Sequence, residues 1–448
     1  MGSDDETIFA LSTAPGRAAV AVIRISGPGV SKAGAALSFR MPAPRVAALR
    51  KLRDGDRVLD QALTLFFEGP GSYTGEDILE LHIHGGRAVY DSVMSVLGKQ
   101  EGWRLALPGE FSRRAVLNGR LDLTKAEAVN DLVNAETEAQ RELALGQLGG
   151  GLGRQFDAWA QRLLGVRAHL EAYIDFPDEE IPASTVEALI VELRDIGGSM
   201  TSFLEDDRRG ERLRSGMRVA VVGPPNAGKS TFVNWLVERD IAIVSEEPGT
   251  TRDILEAHLD LGGFPVIVAD TAGLRPGGGV VEVEGMRRAQ DWARDADWRI
   301  LMVDATTLGE VDVDGFGLVP GDVILANKTD LLTHKGAAAG QVGEFEWLGI
   351  SVADGAGLKE ALARITKEAE NCMGLRSGPV ISRARHRSAL ARCIKSVEQG
   401  LDAFNNQLEL EIVAEDLRLG SDDLGRVTGR VDVEDLLDLV FRDFCIGK

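Results

Sequence analysis

Residues 223–230 read Gly-Pro-Pro-Asn-Ala-Gly-Lys-Ser and match the phosphate-binding loop G-x-x-x-x-G-K-[ST] at every fixed position. In such a loop the glycines let backbone N–H groups turn toward the phosphates of a nucleoside triphosphate. Lys229 is expected to reach the β and γ phosphate oxygens, and the Ser230 hydroxyl is expected to bind Mg²⁺. The apolar run 217–222 before the loop and the helical pattern after it supply the strand and helix that the motif requires. The sequence therefore predicts that the chain binds a nucleoside triphosphate.

Two motifs further along the chain identify the base. Residues 270–273 (Asp-Thr-Ala-Gly) follow the apolar run 266–269, so a carboxylate at a strand end can hold the Mg²⁺ shell and a glycine can sense the γ-phosphate. Residues 327–330 (Asn-Lys-Thr-Asp) follow the apolar run 323–326 and resemble the NKxD guanine signature of the Ras-like GTPases. The Asp330 carboxylate can accept hydrogen bonds from N1–H and the exocyclic amine of guanine, which adenine does not present together. The order of these motifs predicts GTP.

The remaining GTPase motifs are less complete. Residues 249–253 (Gly-Thr-Thr-Arg-Asp) are expected to form the first switch, in which Thr251 could complete the Mg²⁺ shell. Residues 350–352 (Ile-Ser-Val) are expected to form the last guanine-contact loop, where similar GTPases usually carry Ser-Ala. Leu274 stands where Ras-type proteins place a water-orienting Gln, so either hydrolysis is negligible or another group orients the water. Glu282 is one candidate for that group, and a solvated acidic face is the alternative reading of this residue.

The predicted nucleotide site collects residues from all of these segments. Mg²⁺ is expected on Ser230, Thr251 and, through water, Asp270. The GTP contacts are expected to be Asn226, Ala227, Gly228, Lys229, Ser230, Thr231, Ser245, Glu246, Glu247, Pro248, Gly249, Thr250, Thr251, Asp270, Thr271, Ala272, Gly273, Asn327, Lys328 and Asp330.

The composition limits the classes of protein to consider. With 448 residues, of which 44% are hydrophobic, the chain has room for about three domains. A net charge of −20 argues against a protein that coats nucleic acid nonspecifically, although local arginine clusters are present. No apolar stretch approaches the roughly 20 residues of a membrane span, the acidic start lacks a signal peptide, and the three cysteines lack metal-ligand spacing. We therefore expect a soluble, cytoplasmic protein that does not bind a membrane.

The first 118 residues have the short β-type runs and turns of an α+β domain. The runs are residues 18–25, 62–67 and 78–83. In the last run, alternation places Glu80, His82 and His84 on one face of the strand. The two histidines could ligate a metal, or they could form part of a polar pocket.

Helical patterns flank the GTPase motifs on both sides. Residues 124–127 (Thr-Lys-Ala-Glu) form a capping box, and the sequence predicts a helix from there to the glycine cluster 149–153. A second helix is predicted by an apolar stripe that runs from Phe156 to Tyr173, and a third by the box 184–187 (Ser-Thr-Val-Glu). The helical period resumes after residue 380. Because each apolar stripe needs a partner, we predict one helical domain that is split by an inserted GTPase domain.

The predicted fold class is therefore a multidomain protein with α/β and α+β parts. The predicted domains are an N-terminal α+β domain at 1–118, a discontinuous helical domain at 119–215 and 376–448, and an inserted Ras-like P-loop GTPase domain at 216–375.

Short motifs that few other GTPases share occur along nearly the whole chain. They are residues 14–17 (Ala-Pro-Gly-Arg), 24–27 (Arg-Ile-Ser-Gly), 73–77 (Tyr-Thr-Gly-Glu-Asp), 84–86 (His-Gly-Gly), 108–112 (Pro-Gly-Glu-Phe-Ser), 121–123 (Leu-Asp-Leu), 174–180 (Ile-Asp-Phe-Pro-Asp-Glu-Glu), 249–253 (Gly-Thr-Thr-Arg-Asp) and 444–448 (Phe-Cys-Ile-Gly-Lys). Together they resemble the MnmE (TrmE) family of tRNA-modifying GTPases.

The resemblance implies a homodimer formed through the N-terminal domain, which would also bind 5-formyl- or 5,10-methylene-tetrahydrofolate. The folate contacts would be Arg24, Glu80, Arg120 and Lys448, although the family often has Lys where Arg120 stands. The resemblance also implies a heterotetramer with the FAD-dependent flavoprotein MnmG (GidA), which acts on tRNA. The two proteins would add an aminomethyl or carboxymethylaminomethyl group to C5 of the wobble uridine at position 34.

The resemblance further implies that GTP hydrolysis depends on potassium. The K⁺ ligands would be Asn226, Ser245, Glu247 and Thr250. The ion would supply charge where other GTPases use an arginine finger. Glu282 matches the catalytic Glu of the family and would orient the attacking water through a second water. Cys445 either takes part in the modification or is a helix-end thiol without a chemical role.

Two other functions fit parts of the sequence. A regulatory GTPase of ribosome assembly would share the central motifs but should carry an RNA-binding domain such as KH, and the sequence has no GxxG clamp in a basic context. A folate-dependent aminomethyltransferase with a non-RNA substrate would use the GTPase domain as a regulator. The C-terminal pentapeptide 444–448 and the inserted GTPase domain favour tRNA modification.

Overall fold

The computed structural model describes most of the chain. The described ranges are 6–176, 182–239, 241–243, 256–270, 291–310, 313–332, 339–374, 378–406, 410–431, 434–442 and 444–447. Contacts divide the chain into two compact units. The first consists of Met1–Asn130, Gln147–Leu193 and Lys395–Lys448, and the second consists of Asp131–Gly146 and Arg194–Ile394. Within the described ranges, no helix combines the length and apolar character needed to cross a membrane.

A six-stranded sheet forms the N-terminal part of the first unit. Its strands are β1 (Thr7–Leu11), β2 (Ala18–Ser26), β3 (Ala48–Asp54), β4 (Arg57–Phe67), β5 (Ile78–Gly85) and β6 (Trp103–Leu105). Their order is β3-β4-β5-β2-β1-β6, and β1 and β6 are the one parallel pair among these neighbours. The accompanying helices are α1 (Ala33–Ala36), α2 (Arg87–Leu97) and α3 (Glu110–Leu117).

The predicted alternation along β5 is confirmed. Leu79, Leu81 and Ile83 are buried in a core that also contains apolar residues of α2. Glu80 and His82 alternate with them and are half-buried on the opposite face of the sheet. One face of β5 therefore builds the core, and the other face carries polar side chains.

The remaining helices follow the N-terminal sheet along the chain. In chain order they are α4 (Leu123–Val133), α5 (Glu138–Leu148), α6 (Gly151–Asp175), α7 (Ala183–Leu204), α8 (Arg209–Ser215), α9 (Lys229–Val237), α10 (Leu358–Met373), α11 (Ala384–Asn405), α12 (Leu410–Thr428) and α13 (Glu434–Phe441). The predicted apolar stripe of α6 is confirmed, because Phe156, Trp159, Leu163, Val166 and Leu170 are buried. Helix α6 packs along α12.

The prediction of one continuous helix from the capping box 124–127 to the glycine cluster is wrong. The structure has two helices here, since α4 ends at Val133 and α5 begins at Glu138. The first cap is also different, because Asp122 Oδ1 accepts the hydrogen bond from Lys125 N at 2.8 Å. The second cap is a Thr137 and Gln140 box, in which Gln140 Oε1 accepts from Thr137 N at 3.1 Å. This second cap starts a new helix and so breaks the predicted one.

A seven-stranded sheet forms the centre of the second unit. Its strands are β7 (Met217–Val222), β8 (Glu256–Leu261), β9 (Phe264–Asp270), β10 (Trp298–Asp304), β11 (Val323–Asn327), β12 (Ala339–Val342) and β13 (Phe345–Gly349). The order is β12-β13-β11-β10-β7-β9-β8, in which the five inner strands are parallel and both edge strands are antiparallel. Separate apolar clusters cover its two faces. This is the α/β arrangement that was predicted, and ligands of such sheets bind at the carboxyl ends of the strands.

Neighbouring leucines on α6 provide a matched test of the helical core. Leu163 is fully buried and Leu164 is 49% exposed. Because Leu163→Ala removes buried methyl groups and leaves a cavity, we expect it to lower the free energy of unfolding by about 2–5 kcal/mol. Leu164→Ala should change it by less than about 0.5 kcal/mol. Urea unfolding followed by far-UV circular dichroism measures both, and equal losses would contradict the assigned face of α6.

Candidate nucleotide-binding site

The phosphate-binding loop joins β7 to α9, as the sequence predicts. Gly223 has φ +138°, and a Cβ there would lie 2.1 Å from the carbonyl oxygen of Met302. Gly228 has φ +101°, and a Cβ there would lie 2.2 Å from Asn327 Nδ2. Both the backbone conformation and the lack of space therefore require glycine at these two positions. Met302 of β10 and Asn327 at the end of β11 therefore fix the shape of the phosphate-binding loop.

Lys229 begins α9 and is 4% exposed. Its ammonium group donates to the carbonyl oxygens of Gly223 at 2.8 Å and of Pro224 at 2.7 Å. Burial lowers the pKa of the Lys229 ammonium, and the Asp270 carboxylate opposes that shift. The phosphate-binding loop thus encloses the Lys229 ammonium group, where phosphate oxygens of a nucleotide would contact it.

Ser230 and Asp270 bring together two oxygen donors. The Ser230 Oγ hydroxyl is hydrogen-bonded to Asp270 Oδ2. Asp270 is the last residue of β9 and is 4% exposed. A hydroxyl and a carboxylate side by side are ligands of the type that Mg²⁺ prefers. The third predicted ligand, Thr251, lies outside the described residues.

The guanine motif and the last contact loop meet at the ends of β11 and β13. Asn327 Nδ2 donates to Ala227 O at 2.8 Å, and Asn327 Oδ1 accepts from Val352 N at 3.1 Å. Ser351 Oγ donates to Asp330 Oδ1 at 2.7 Å. The structure therefore places the Ile-Ser-Val loop beside the NKxD motif, although Val352 stands where similar GTPases usually carry Ala. Asp330 itself is exposed, as a base-contacting carboxylate must be.

Asp304 belongs to this site and was not predicted from the sequence. It ends β10, and its Oδ2 is 2.8 Å from Lys328 Nζ. This hydrogen bond from Lys328 lowers the pKa of the Asp304 carboxyl. The backbone of Lys328 has φ +65°, which is uncommon for a residue other than glycine, and the ion pair fixes its side chain. The available signal was a carboxylate at the end of the apolar run 300–303, the same position that Asp270 has in β9.

Two of the predicted folate residues form an ion pair on the polar face of the N-terminal sheet. Arg24 of β2 stands directly opposite Glu80 of β5, and Arg24 Nη2 lies 2.9 Å from Glu80 Oε1. The Arg24 guanidinium carbon is 5.3 Å from the centre of the Tyr73 ring and 5.7 Å from that of Phe111. The two rings were not predicted as site residues, because no local pattern relates them to Arg24. A paired carboxylate and guanidinium beside aromatic surface can bind a polar planar ligand.

Three further predicted residues of the first unit, Arg120, Cys445 and His84, have exposed side chains. Arg120 is exposed, and its side chain lies against Gly75, two residues after Tyr73. Cys445 is also exposed, and its carbonyl oxygen accepts a 3.2 Å hydrogen bond from Gly109 N. His84 Nδ1 is 2.7 Å from Asp60 Oδ1. Among the described residues, no group of three or more His, Cys, Asp or Glu side chains is arranged to hold a metal ion.

Several predicted site residues lie outside the described residues, so their predicted roles stay predictions. They are Ser245, Glu246, Glu247, Pro248, Gly249, Thr250, Thr251, Thr271, Ala272, Gly273, Leu274, Glu282 and Lys448.

A sheet with five parallel inner strands, a phosphate-binding loop after its inner strand β7 and an NKxD motif at the end of β11 defines a P-loop GTPase. A family model described as the MnmE helical domain matches residues 123–445, and one described as the GTP-binding protein TrmE N-terminus matches residues 7–120. The chain belongs to the MnmE family of tRNA modification GTPases, and it is a GTP hydrolase.

Curated relatives match along their whole length. The tRNA modification GTPase MnmE of Parvibaculum lavamentivorans is 50% identical to this chain, and the match covers 99% of this chain and 100% of that protein. The proteins with the same name from Paramagnetospirillum magneticum and Caulobacter vibrioides are 48% and 46% identical, each with 99% and 100% coverage. The resemblance drawn from short motifs is therefore confirmed.

Replacement of one carboxylate oxygen of Asp330 by an amide nitrogen tests the guanine site. Asp330→Asn loses two charge-assisted hydrogen bonds to guanine, each worth roughly 1.5–3 kcal/mol, so we expect GTP affinity to fall by about 100-fold or more. The new amide can donate to the C2 carbonyl of xanthine, so binding of xanthosine triphosphate should rise. Titration with fluorescent analogues of both nucleotides measures the exchange. The gain for xanthine controls for misfolding, and unchanged GTP affinity would contradict the assignment.

Proposed function

We propose that this protein is a potassium-dependent GTPase that modifies tRNA together with the FAD-dependent protein MnmG. The modification places an aminomethyl or carboxymethylaminomethyl group on C5 of the wobble uridine at position 34, with a one-carbon tetrahydrofolate as carbon source. The observation that supports this proposal is that one chain carries two chemically different sites. One is the phosphate and guanine site on the parallel sheet, and the other is the Arg24–Glu80 pair on the N-terminal sheet.

Hydrolysis in this proposal depends on cations, because Leu274 cannot orient a water molecule. The adjacent oxygens of Ser230 and Asp270 fit Mg²⁺, which supplies positive charge to the phosphates. Asn226 has φ +61°, a conformation that Asn adopts more readily than most residues, and its amide oxygen is a suitable K⁺ ligand. The other proposed K⁺ ligands are Ser245, Glu247 and Thr250, and Glu282 is proposed to position the attacking water.

The N-terminal site fits a folate. The Glu80 carboxylate can accept hydrogen bonds from N–H groups of a pterin, while the Arg24 guanidinium can donate to its carbonyl. The Tyr73 and Phe111 rings add aromatic surface beside the pair. Arg120 is proposed to supply a second cation. A one-carbon tetrahydrofolate bound there would supply the one-carbon unit.

The C-terminal residues support the same placement of the folate site. Ser12 Oγ donates to the carbonyl of Gly447 at 3.0 Å, so the end of the chain lies against the connection between β1 and β2. This brings Cys445 into the N-terminal part of the first unit, where its exposed thiol is a candidate for the modification chemistry. Lys448 is proposed as the last folate contact.

The proposed assembly follows from the family. Two copies of the chain would pair through their N-terminal domains and join MnmG in a cytoplasmic heterotetramer that binds tRNA. The proposed domains are 1–118 for folate binding and dimerisation, 119–215 with 376–448 for the helical domain, and 216–375 for the GTPase. The names of the relatives, all tRNA modification GTPases, favour tRNA as the substrate over a protein or a small metabolite.

Replacement of sodium by potassium tests the hydrolysis mechanism. GTP turnover should rise at least about tenfold in potassium, because the ion would supply the charge that an arginine finger contributes in other GTPases. Steady-state phosphate release at equal ionic strength measures the effect. Equal rates in the two salts would overturn the potassium mechanism.

Asn226→Gly is the matched variant for this test. Glycine keeps the positive φ of the loop but removes the amide oxygen, so GTP binding should persist while most of the potassium stimulation is lost. A nucleotide titration is the control, because loss of GTP binding would show that the substitution has damaged the phosphate-binding loop. Full stimulation with intact binding would exclude Asn226 as a K⁺ ligand.

Analysis of tRNA nucleosides tests the substrate. Deletion of the gene should remove C5-substituted wobble uridines from bulk tRNA, and the wild-type gene should restore them. A gene with Lys229→Ala should not restore them, because that variant lacks the buried phosphate-binding ammonium. Mass spectrometry of a nuclease digest measures each nucleoside. Intact modified uridines in a deletion strain without a second gene copy would contradict a role in tRNA modification.

A further inference from the structure

His82 carries an unpaired polar atom on the polar face of the N-terminal sheet. It is two residues after Glu80 on β5, so the two side chains lie on the same face. Its Nε2 atom is shielded from solvent and has no hydrogen-bond partner among the described residues. The nearest charged group is Glu80, whose Oε2 lies 3.5 Å from His82 Nε2. That distance is longer than an ordinary N–H···O hydrogen bond.

The strands on either side offer His82 no polar partner at the same level. In the register of the sheet, His82 stands opposite Val22 of β2 and Leu63 of β4. The next histidine along the strand has a different environment, because His84 Nδ1 lies 2.7 Å from Asp60 Oδ1 and His84 N donates to Asp60 Oδ2 at 2.8 Å. Glu80 is therefore the group toward which the Nε2 atom of His82 can close.

The two carboxylate oxygens of Glu80 have different partners. Oε1 accepts from Arg24 Nε at 3.1 Å and from Arg24 Nη2 at 2.9 Å. Oε2 is the oxygen nearest to His82. A guanidinium on one oxygen and an imidazole N–H on the other would fix the plane of the carboxylate. Hydrogen bonds of functional groups are often long in a free protein and shorten when the ligand binds.

We propose that His82 is a positioning residue of the N-terminal ligand site. Its Nε2–H pairs with Glu80 Oε2 when a ligand binds, and this holds the carboxylate in the plane that accepts N–H groups of a reduced pterin. The inference rests on the proposed folate site but assigns His82 a role in it that composition and family resemblance do not. His82 acts through Glu80 and does not itself contact the reacting carbon of the ligand.

A double-mutant cycle on the full-length protein tests this role with 5-formyltetrahydrofolate as the probe. His82→Ala should weaken its binding about fivefold to tenfold, as expected for the loss of one hydrogen bond to a charged group. His82→Gln can place an amide N–H near the former Nε2 position and should recover affinity to within about threefold of wild type. In a Glu80→Gln background, His82→Ala should change affinity by less than about twofold, because the two residues act as one unit.

His84→Ala is the matched control, since this residue lies on the same strand face but is bonded to Asp60. It should leave folate binding unchanged in both backgrounds, and its GTP hydrolysis without folate should equal that of the wild type. A full effect of His82→Ala in the Glu80→Gln background would overturn the positioning role. So would wild-type affinity in His82→Ala, failure of His82→Gln to recover affinity, or loss of affinity that light scattering traces to a changed oligomeric state.

The same measurements separate this inference from the proposed function. A wild-type protein that binds the probe while His82→Ala has no effect refutes the role of His82 and leaves the folate site in place. If the wild-type protein gives no more binding signal than Arg24→Ala at the same probe concentration, both the folate site and the role of His82 are overturned.

Discussion

The buried amide of Asn327 is the contact on which the nucleotide site depends. It is 4% exposed, and it joins Ala227 O of the phosphate-binding loop to Val352 N of the last guanine loop. Because an unpaired buried amide costs roughly 1–3 kcal/mol, the loops after β7, β11 and β13 are held in one arrangement. Gly228 is required for the same reason, since any side chain there would lie against Asn327 Nδ2. The phosphate and base contacts are therefore one structural unit rather than two adjacent motifs.

The N-terminal sheet uses charged pairs for the same purpose. Arg114 is buried and lies 3.1 Å from Glu76 Oε1, and Glu76 belongs to the loop that carries Tyr73. Breaking one partner of a buried ion pair leaves an uncompensated charge, which is strongly destabilising. The ion pair thus fixes the loop from behind, while Tyr73 on the same loop covers Arg24. The position of the aromatic surface beside Arg24 depends on a pair of charges outside the site.

The separation in sequence between interacting residues explains how much of the structure could be predicted from the sequence. The strand β5, the helix α6, the phosphate-binding loop and the NKxD motif follow from local periodicity and spacing, and the structure has them where they were predicted. The break between α4 and α5 was missed because the apolar period continues through it, and the cap at Thr137 was not recognised. Tyr73 beside Arg24 joins distant residues for which no local pattern is a signal, and the local signal at Asp304 does not reveal its pairing with Lys328. These contacts depend on strand order, which a single sequence does not specify.

The break that makes α5 a separate helix changes which residues belong to the nucleotide-binding unit. The α5 residues Ala139 and Leu143 pack in the core beneath the parallel sheet, and Ala139 N donates to Gly263 O at 3.1 Å. Gly263 immediately precedes β9, the strand that ends in Asp270. Helix α5 is therefore in direct contact with the turn that leads into the strand of Asp270, and the nucleotide-binding unit includes sequence from well before the phosphate-binding loop.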